Sequence, residues 1–344
     1  MKLLDQPNPG AEAPGPNNSK AHLVVMHQNP DPDALGAALG MACILRKQGV
    51  EQIHIVYKGE ISHPMNKSMV NMFSLPVRKV ESVDPSEYDK IICVDCRPSH
   101  TGLVSVGDVD MIVDHHKGDE GSDIPNSVIK PCGATSSLVC HMLDEEDLLE
   151  DEGEQMETTR SCLLLGIYTD TDNFLKNLSE EDFTAYRRLS GLVEEKRILQ
   201  ILEYPIPPYI FELEAQAVAE DNYRIVGSTY IAGVGVLADG RRDALPFLAD
   251  KLLRREGIDT TFIFAVVGDN LQMSVRSQQM TLDVQEFCGR VFGRDKSGGK
   301  HGSGGVDVPL GIMTPTGDAE IRGVVYNAIK QKVFHLLEKE LEST

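Results

Sequence analysis

From residue 22 onward, short apolar runs rich in β-branched residues alternate with stretches of helical period. Strand-like segments at 22–26 and 53–57 flank a helical run at 34–48, and further strand-like segments follow at 91–95, 111–114 and 126–129, with helical runs around 135–143 and 160–168. Because parallel strands need crossover helices, this alternation predicts an α/β fold on a doubly wound, mainly parallel sheet. Ligands of such sheets bind beyond the carboxyl ends of the strands. The chemistry is therefore to be sought in the residues that follow each strand.

Those residues are acids and histidines. The first strand runs into His27-Gln28-Asn29-Pro30-Asp31-Pro32-Asp33-Ala34-Leu35-Gly36. Pro30 and Pro32 each hold the preceding residue extended, which predicts that the carboxylates of Asp31 and Asp33 emerge on one side, with His27 one short loop away. An alternative makes Asp33 the N-cap of the helix at 34–48, which leaves Asp31 unexplained. Asp95 ends the apolar run 91–94, Asp114-His115-His116 follows Met111-Ile112-Val113, and Asp170-Thr171-Asp172 follows an apolar helix. Asp172 reads equally as a remote partner of the cluster or as a helix cap. Like charges gathered this way, without visible Lys or Arg partners, raise one another's pKa, and a divalent cation removes that cost. Carboxylates with imidazoles and no thiolates favour Mn²⁺ or Mg²⁺, with Fe²⁺ or Co²⁺ compatible, over structural zinc. The number of ligands is enough for two ions, an arrangement that suits in-line displacement at phosphorus.

The segment 27–36, the pair Val94-Asp95, the triplet 114–116 and the run Tyr168-Thr169-Asp170-Thr171, in that order, resemble the four motifs of the DHH phosphoesterase superfamily. The resemblance implies one metal held by His27 and Asp31, a second by Asp33, His115 and Asp170, and Asp95 bridging both. It implies that His116 faces the scissile phosphate and that Asp114 orients the histidine pair. Pro32 stands where the family's Asp-Gly-Asp carries Gly, and both carboxylates are kept. Arg97 reads equally as a guanidinium able to reach a substrate phosphate or as a surface arginine. Further on, Met273-Ser274-Val275-Arg276-Ser277 and the glycine-rich run 298–305 resemble the substrate-binding stretches of the DHH-associated domain. Arg276, Ser277, Gly298, Gly299, Lys300 and His301 are accordingly substrate-binding candidates, with clustered glycines letting backbone N–H groups approach an anion.

The layout is then a tail at 1–20, a DHH catalytic domain at 21–190, a helical linker at 191–220 broken by Pro205, Pro207 and Pro208, and a smaller mixed α/β DHH-associated domain at 221–344. It resembles the bacterial oligoribonuclease and pAp phosphatase group and its cyclic-dinucleotide phosphodiesterase relatives. The resemblance implies a manganese-dependent phosphoesterase acting on short oligoribonucleotides, pAp, or linear and cyclic dinucleotides. An inorganic pyrophosphatase or polyphosphatase is the alternative enzyme. A non-catalytic nucleotide sensor would have lost a metal ligand, and none is lost.

With 33 Lys and Arg against 53 Asp and Glu, the formal charge of −20 argues against long duplex nucleic acid as a partner. The nine acids without a base at 144–157 read as a solvated loop or helix end. No apolar run approaches the roughly 18 residues of a membrane helix. Seven scattered cysteines and no signal segment point to the cytoplasm. Cys93 and Cys96, three apart on a strand, should face opposite sides and read as core residues. A homodimer is left open.

Overall fold

The computed structural model describes residues 21–61, 63–279, 281–300, 302–316 and 318–343. The segment 1–20 and His301, both singled out from the sequence, lie outside the described residues. The chain divides into two compact units, Met1–Tyr204 and Pro205–Thr344.

The first unit runs β1 (Ala21–Val25), α1 (Pro32–Lys47), β2 (Gln52–Tyr57), α2 (Pro64–Met72), β3 (Val77–Lys79), β4 (Lys90–Val94), α3 (Pro98–Thr101), β5 (Met111–Asp114), β6 (Val128–Ile129), α4 (Thr135–Glu145), α5 (Glu154–Asp170), α6 (Glu180–Ser190) and α7 (Glu195–Leu202). Its six strands pair wholly in parallel in the order β3-β2-β1-β4-β5-β6. The chain winds outward from β1 to β3, then returns to β4 on the other side of β1. A crevice therefore opens at the carboxyl ends of β1 and β4, where the winding reverses. One face of the sheet packs Val24, Ile55, Ile92 and Val113 into a core shared with α1, α4 and α5. The other face buries Leu23, Val25, Ile91, Cys93 and Ile112 against Val80, Tyr88, Leu103 and Ile124 from the connecting loops.

Cys96 lies in the same apolar layer as Cys93, against the expectation of opposite faces. The chain leaves β4 through Asp95 at φ 56, a left-handed turn, so strand alternation stops at Val94. A second departure concerns the start of α1. Its N-cap is Asp31, whose side chain accepts from the backbone N–H groups of Asp33 and Ala34, with Pro32 in the first helical turn. Asp33 is thus inside the helix and is not its cap.

Two glycines let three helices close on one another. A Cβ at Gly36 would sit 2.7 Å from the carbonyl oxygen of Cys162, and one at Gly166 would sit 2.4 Å from Ser136 Oγ and 2.8 Å from Asp33 Cα. Contact this close between α1, α4 and α5 leaves no room for a side chain at either position unless a helix shifts.

Within the stretch read as a linker, α7 gives Ile198, Ile201 and Leu202 to the first core, whereas α8 (Pro208–Ala217) gives Ile210 and Leu213 to the second unit. The second unit continues with β7 (Tyr223–Val226), β8 (Thr229–Leu237), α9 (Ala244–Leu252), β9 (Thr260–Val267), β10 (Asn270–Ser277), α10 (Val284–Phe292), β11 (Ser297–Lys300), β12 (Ser303–Pro309) and α11 (Ala319–Ser343). Its mixed sheet has the order β11-β12-β10-β9-β8-β7, with β8 and β9 parallel and the other pairs antiparallel. Helices α8 and α9 cover one face and α10 and α11 the other. The glycine-rich run is mostly strand: Gly298 pairs with Gly305 and Gly299 with Gly304. That ladder engages the inner edge of β11, leaving only the outer edge of this terminal strand to present N–H groups. Among the described residues no helix is long and apolar enough to cross a membrane.

Candidate metal centre

Each acid or histidine of the sequence motifs reaches the reversal crevice of the first unit from a different element. His27 and Asp31 come from the turn after β1, Asp33 from the first turn of α1, Asp95 from the end of β4, His115 and His116 from the end of β5, and Asp170 from the last turn of α5. His27 Nε2 lies 3.9 Å from Asp31 Oδ1 and 3.7 Å from Asp95 Oδ2. His115 Nε2 lies 3.6 Å from Asp95 Oδ1, 4.0 Å from Asp33 Oδ2 and 3.4 Å from Asp170 Oδ2. Two ligand groups result, His27 with Asp31 and Asp95, and Asp33 with His115 and Asp170, the donor atoms of each lying within 4.8 Å of one another. Asp95 turns one oxygen toward each group. A third grouping, Asp95 with His115 and His116, overlaps them.

The donor chemistry fits divalent cations. His115 Nδ1 is 3.0 Å from the carbonyl oxygen of Cys132, which leaves Nε2 aimed at three carboxylates, buried and without a hydrogen-bond partner. A ring nitrogen oriented in this way by a carbonyl on its far side is the usual arrangement of a metal-binding histidine. Asp33 is fully buried and Asp95 3% exposed. Burial, followed by the charge of Asp170, pushes the Asp33 carboxyl up to about 7. Burial, followed by the charges of Asp33, Asp31 and Asp170, holds Asp95 well above the usual carboxylate range. Burial works against a charged His115, but Asp170, Asp33 and the Cys132 carbonyl outweigh it and lift the imidazole to about 9. Asp31 moves the other way, because its bonds to His27 and to the backbone of α1 outweigh its burial. Acids that resist ionisation because they are buried and face one another are relieved by a cation between them.

Three further residues hold these ligands, and the sequence reading passed over all of them. Thr135, at the start of α4, donates its hydroxyl to Asp95 Oδ1 at 2.9 Å and accepts the His115 backbone N–H at 3.2 Å. The backbone N–H groups of Thr135 and Ser136 donate to the two oxygens of Asp33, each at 2.7 Å. The N-terminus of α4 is thus an anion site filled by the chain's own carboxylate. Asp182, fully buried at the start of α6, accepts from Gly133 N, Ser179 N and the hydroxyls of Ser137 and Ser179, fixing the turn that leads into α4. The only sequence signal was a Gly-Ala-Thr-Ser-Ser run opening an apolar helix.

Beside the ligands, His116 is 45% exposed in its side chain, and its Nδ1 lies 2.9 Å from Asp114 Oδ1. Arg97, read as a residue for substrate phosphate, is directed elsewhere. Its guanidinium is 3% exposed, pairs through Nε with Asp114 Oδ2 at 2.8 Å, and donates to the carbonyls of Glu120, His116 and Gly118. A side chain so enclosed has no face left for a substrate. Asp172 forms an exposed ion pair with Lys176 and is absent from the cluster.

In the second unit, Arg276 on β10 stands opposite Ser303 on β12, which stands opposite Lys300 on β11, so the three share one cross-strand row. Arg276 is half-buried, pairs with Asp250 at 2.7 Å and donates to Ser274 Oγ and the Val275 carbonyl. A Cβ at Gly298 would meet open space, whereas Gly299 faces the β12 backbone. The Ser277 hydroxyl, expected at the substrate, turns inward instead: it lies 2.9 Å from Thr260 Oγ1 and accepts the Gln279 N–H.

Comparison with known proteins places this geometry in context. The DHH family, N-terminal domain, matches residues 22–167. The chain is 33% identical over 318 residues, 92% of its length and 64% of the relative's, to the uncharacterized protein MJ1633 of Methanocaldococcus jannaschii. It is 29% identical over 156 residues, 43% of this chain and 47% of the other, to the probable manganese-dependent inorganic pyrophosphatase of Streptococcus thermophilus. Identity is 25% over 270 residues, 72% of this chain and 39% of the other, to the cyclic-di-AMP phosphodiesterase PdeA of Listeria monocytogenes. The chain spans less than two thirds of the length of each of these relatives. Among solved structures, an exopolyphosphatase-related protein from Bacteroides fragilis shares the fold, with a TM-score of 0.60 over 93% of this chain and 94% of that one at 16% identity.

Proposed function

With a DHH family N-terminal domain at residues 22–167 as the premise, we propose that the protein is a metal-dependent phosphoesterase that hydrolyses short nucleotide substrates: oligoribonucleotides, pAp, or linear or cyclic dinucleotides. The observation that carries the proposal is the pair of ligand groups meeting at Asp95, with a partnerless His115 Nε2 aimed between carboxylates.

His27, Asp31 and Asp95 would hold one ion and Asp33, His115, Asp170 and Asp95 the other, with Mn²⁺ the first choice. Bound there, two divalent ions supply Lewis-acid charge at phosphorus and a lowered pKa for water. The chain's own contribution is orientation. Thr135 and Ser136 fix Asp33 and Asp95, and the Cys132 carbonyl fixes the His115 ring. His116, tied to Asp114 through Nδ1, keeps Nε2 turned toward the place of the scissile phosphate. Arg276, Gly298, Gly299, Lys300 and His301 are assigned to holding the rest of the substrate. Seven free thiols support a reducing compartment, the cytoplasm.

A second reading, hydrolysis of pyrophosphate, is favoured by the Streptococcus thermophilus relative. The nucleotide reading is preferred because the likeness to the Listeria monocytogenes phosphodiesterase covers 270 residues, more than the whole first unit contains. The deciding experiment offers the Mn²⁺-loaded protein pApA, pAp, cyclic di-AMP, pyrophosphate and an RNA length ladder. Turnover should be fastest on dinucleotides or pAp and should decline as the RNA lengthens. Faster release from pyrophosphate would transfer the protein to the second reading, and no turnover with any divalent ion would end both.

A further inference from the structure

Arg97 is one of the most enclosed cations in the first unit, and it sits between the turn after β4 and the loop after β5. Its guanidinium makes four contacts: an ion pair of Nε with Asp114 Oδ2 at 2.8 Å, and hydrogen bonds to the Glu120 carbonyl at 3.2 Å through Nη1 and to the His116 and Gly118 carbonyls at 3.0 and 3.1 Å through Nη2. The loop answers back, because the Glu120 carboxylate accepts both the backbone N–H and the hydroxyl of Ser99, two residues beyond Arg97. His116 is therefore held twice. Its ring is held through Asp114 Oδ1, which also accepts the His116 backbone N–H, and its carbonyl is held directly by Arg97.

From this network we infer that Arg97 is a positioning residue for His116: it anchors the far oxygen of Asp114 so that the near oxygen keeps the imidazole in its Nδ1–H form, with Nε2 presented outward. The inference rests on the phosphoesterase reading for its catalytic meaning, but the tautomer it sets does not. Asp114 is wholly buried. Without the guanidinium its carboxylate would stay enclosed without a cationic partner, and it would rotate or lose its charge, releasing the ring. Lysine cannot substitute, since a point charge on a flexible stem cannot reach one carboxylate oxygen and three carbonyls together. Neither Arg97 nor the carbonyls it holds belongs to either ligand group, so metal loading through His27, Asp31, Asp33 and Asp170 is left alone.

The test combines a structural and a kinetic readout. Long-range ¹H–¹⁵N spectra of metal-free, histidine-labelled protein, with His116 assigned through His116→Gln, should show a single Nδ1–H tautomer in the wild type. Arg97→Lys and Arg97→Ala should show mixed tautomers. With Mn²⁺ and the best substrate of the panel, kcat of both variants should fall about 10- to 100-fold, the usual cost of losing a residue behind a reacting group, with KM and Mn²⁺ affinity unchanged. Added guanidinium should restore part of kcat in Arg97→Ala and none in Arg97→Lys. An Nε2–H tautomer in the wild type overturns the inference whether or not the variants fold. So does a folded Arg97→Ala that keeps its tautomer and its kcat, or that loses kcat only in step with Mn²⁺ affinity. A wild type inactive on every phosphoester refutes the activity and leaves the tautomer result to stand by itself.

Discussion

The two units differ in net charge and in one buried pair of acids. Residues 1–204 hold 34 Asp and Glu against 18 Lys and Arg, a net −16, whereas residues 205–344 hold 19 against 15, a net −4. In the second unit acids find bases: Arg276 pairs with Asp250, Lys251 with Glu214 and Arg290 with Glu340. In the first unit Asp33 and Asp95 are buried together, and no Lys or Arg among the described residues is paired with them. Asp182 and Asp114, equally buried, differ from both, one satisfied by four hydrogen bonds and the other by Arg97. Asp33, held by two backbone N–H groups of α4, and Asp95, held by the Thr135 hydroxyl, thus lie side by side with hydrogen bonds but no Lys or Arg partner, which supports the proposed cation between them.

The contrast breaks most visibly at Asp95. Asp95→Ala should lower kcat by about three orders of magnitude or more by removing the carboxylate both ligand groups share. The metal-free variant should still unfold cooperatively, at a temperature no lower than the wild type, because a buried acid has gone. Retained turnover in calorimetrically folded Asp95→Ala would falsify the two-ion assignment.

Thr135→Val tests whether the helix start matters. It keeps the shape of the side chain and deletes the hydroxyl that holds Asp95 and His115, so titration calorimetry should record Mn²⁺ affinity about 10- to 100-fold weaker. An unchanged isotherm would mean that Asp95 is held by its backbone alone.

In the second unit, Arg276→Ala should raise KM for the nucleotide about tenfold, the scale of one charge-assisted contact, while kcat and Mn²⁺ affinity stay constant. If kcat collapses instead, the division of labour between the units is wrong.

The smallest effect concerns pH. Folded Asp33 holds its proton up to about 7, against an ordinary 3.8, so the metal-free fold loses stability as pH rises through that window. Folded His115 keeps its proton up to about 9, against an ordinary 6.5, so its stabilising contribution is complete below 6.5 and fades as pH rises to about 9. Both have the same sign. Thermal melts in chelator should fall by about 5 °C between mildly acidic and alkaline buffer, and Mn²⁺ should cancel the fall. A metal-free melt that rises over this range would show that these groups are ionised without a cation.

The alternating pattern carried the parallel sheet because period and β-branching act locally. The six acids and histidines that meet at the candidate site were legible for a related reason, since such residues placed at strand ends have few structural uses. What escaped reading depends on contacts far apart in sequence. Thr135 and Ser136 look like an ordinary helix start, and only the fold brings Asp33, a hundred residues upstream, against them. Arg97 was misassigned because a guanidinium near a phosphate site and one buried beneath it are identical in sequence. The left-handed Asp95 hid the common layer of Cys93 and Cys96, and facing glycines concealed a hairpin, since neither leaves a periodic trace.

The glycine contacts at 36 and 166 set the spacing between Asp33, on α1, and Asp170, on α5. Backbones already touching cannot come closer, so this spacing has a floor, and a single methyl wedged at either glycine could only widen it. The helix pair works as a caliper. On the proposed two-ion reading, alanine at those positions would shift preference toward cations of larger radius without altering any of the acids or histidines that meet there.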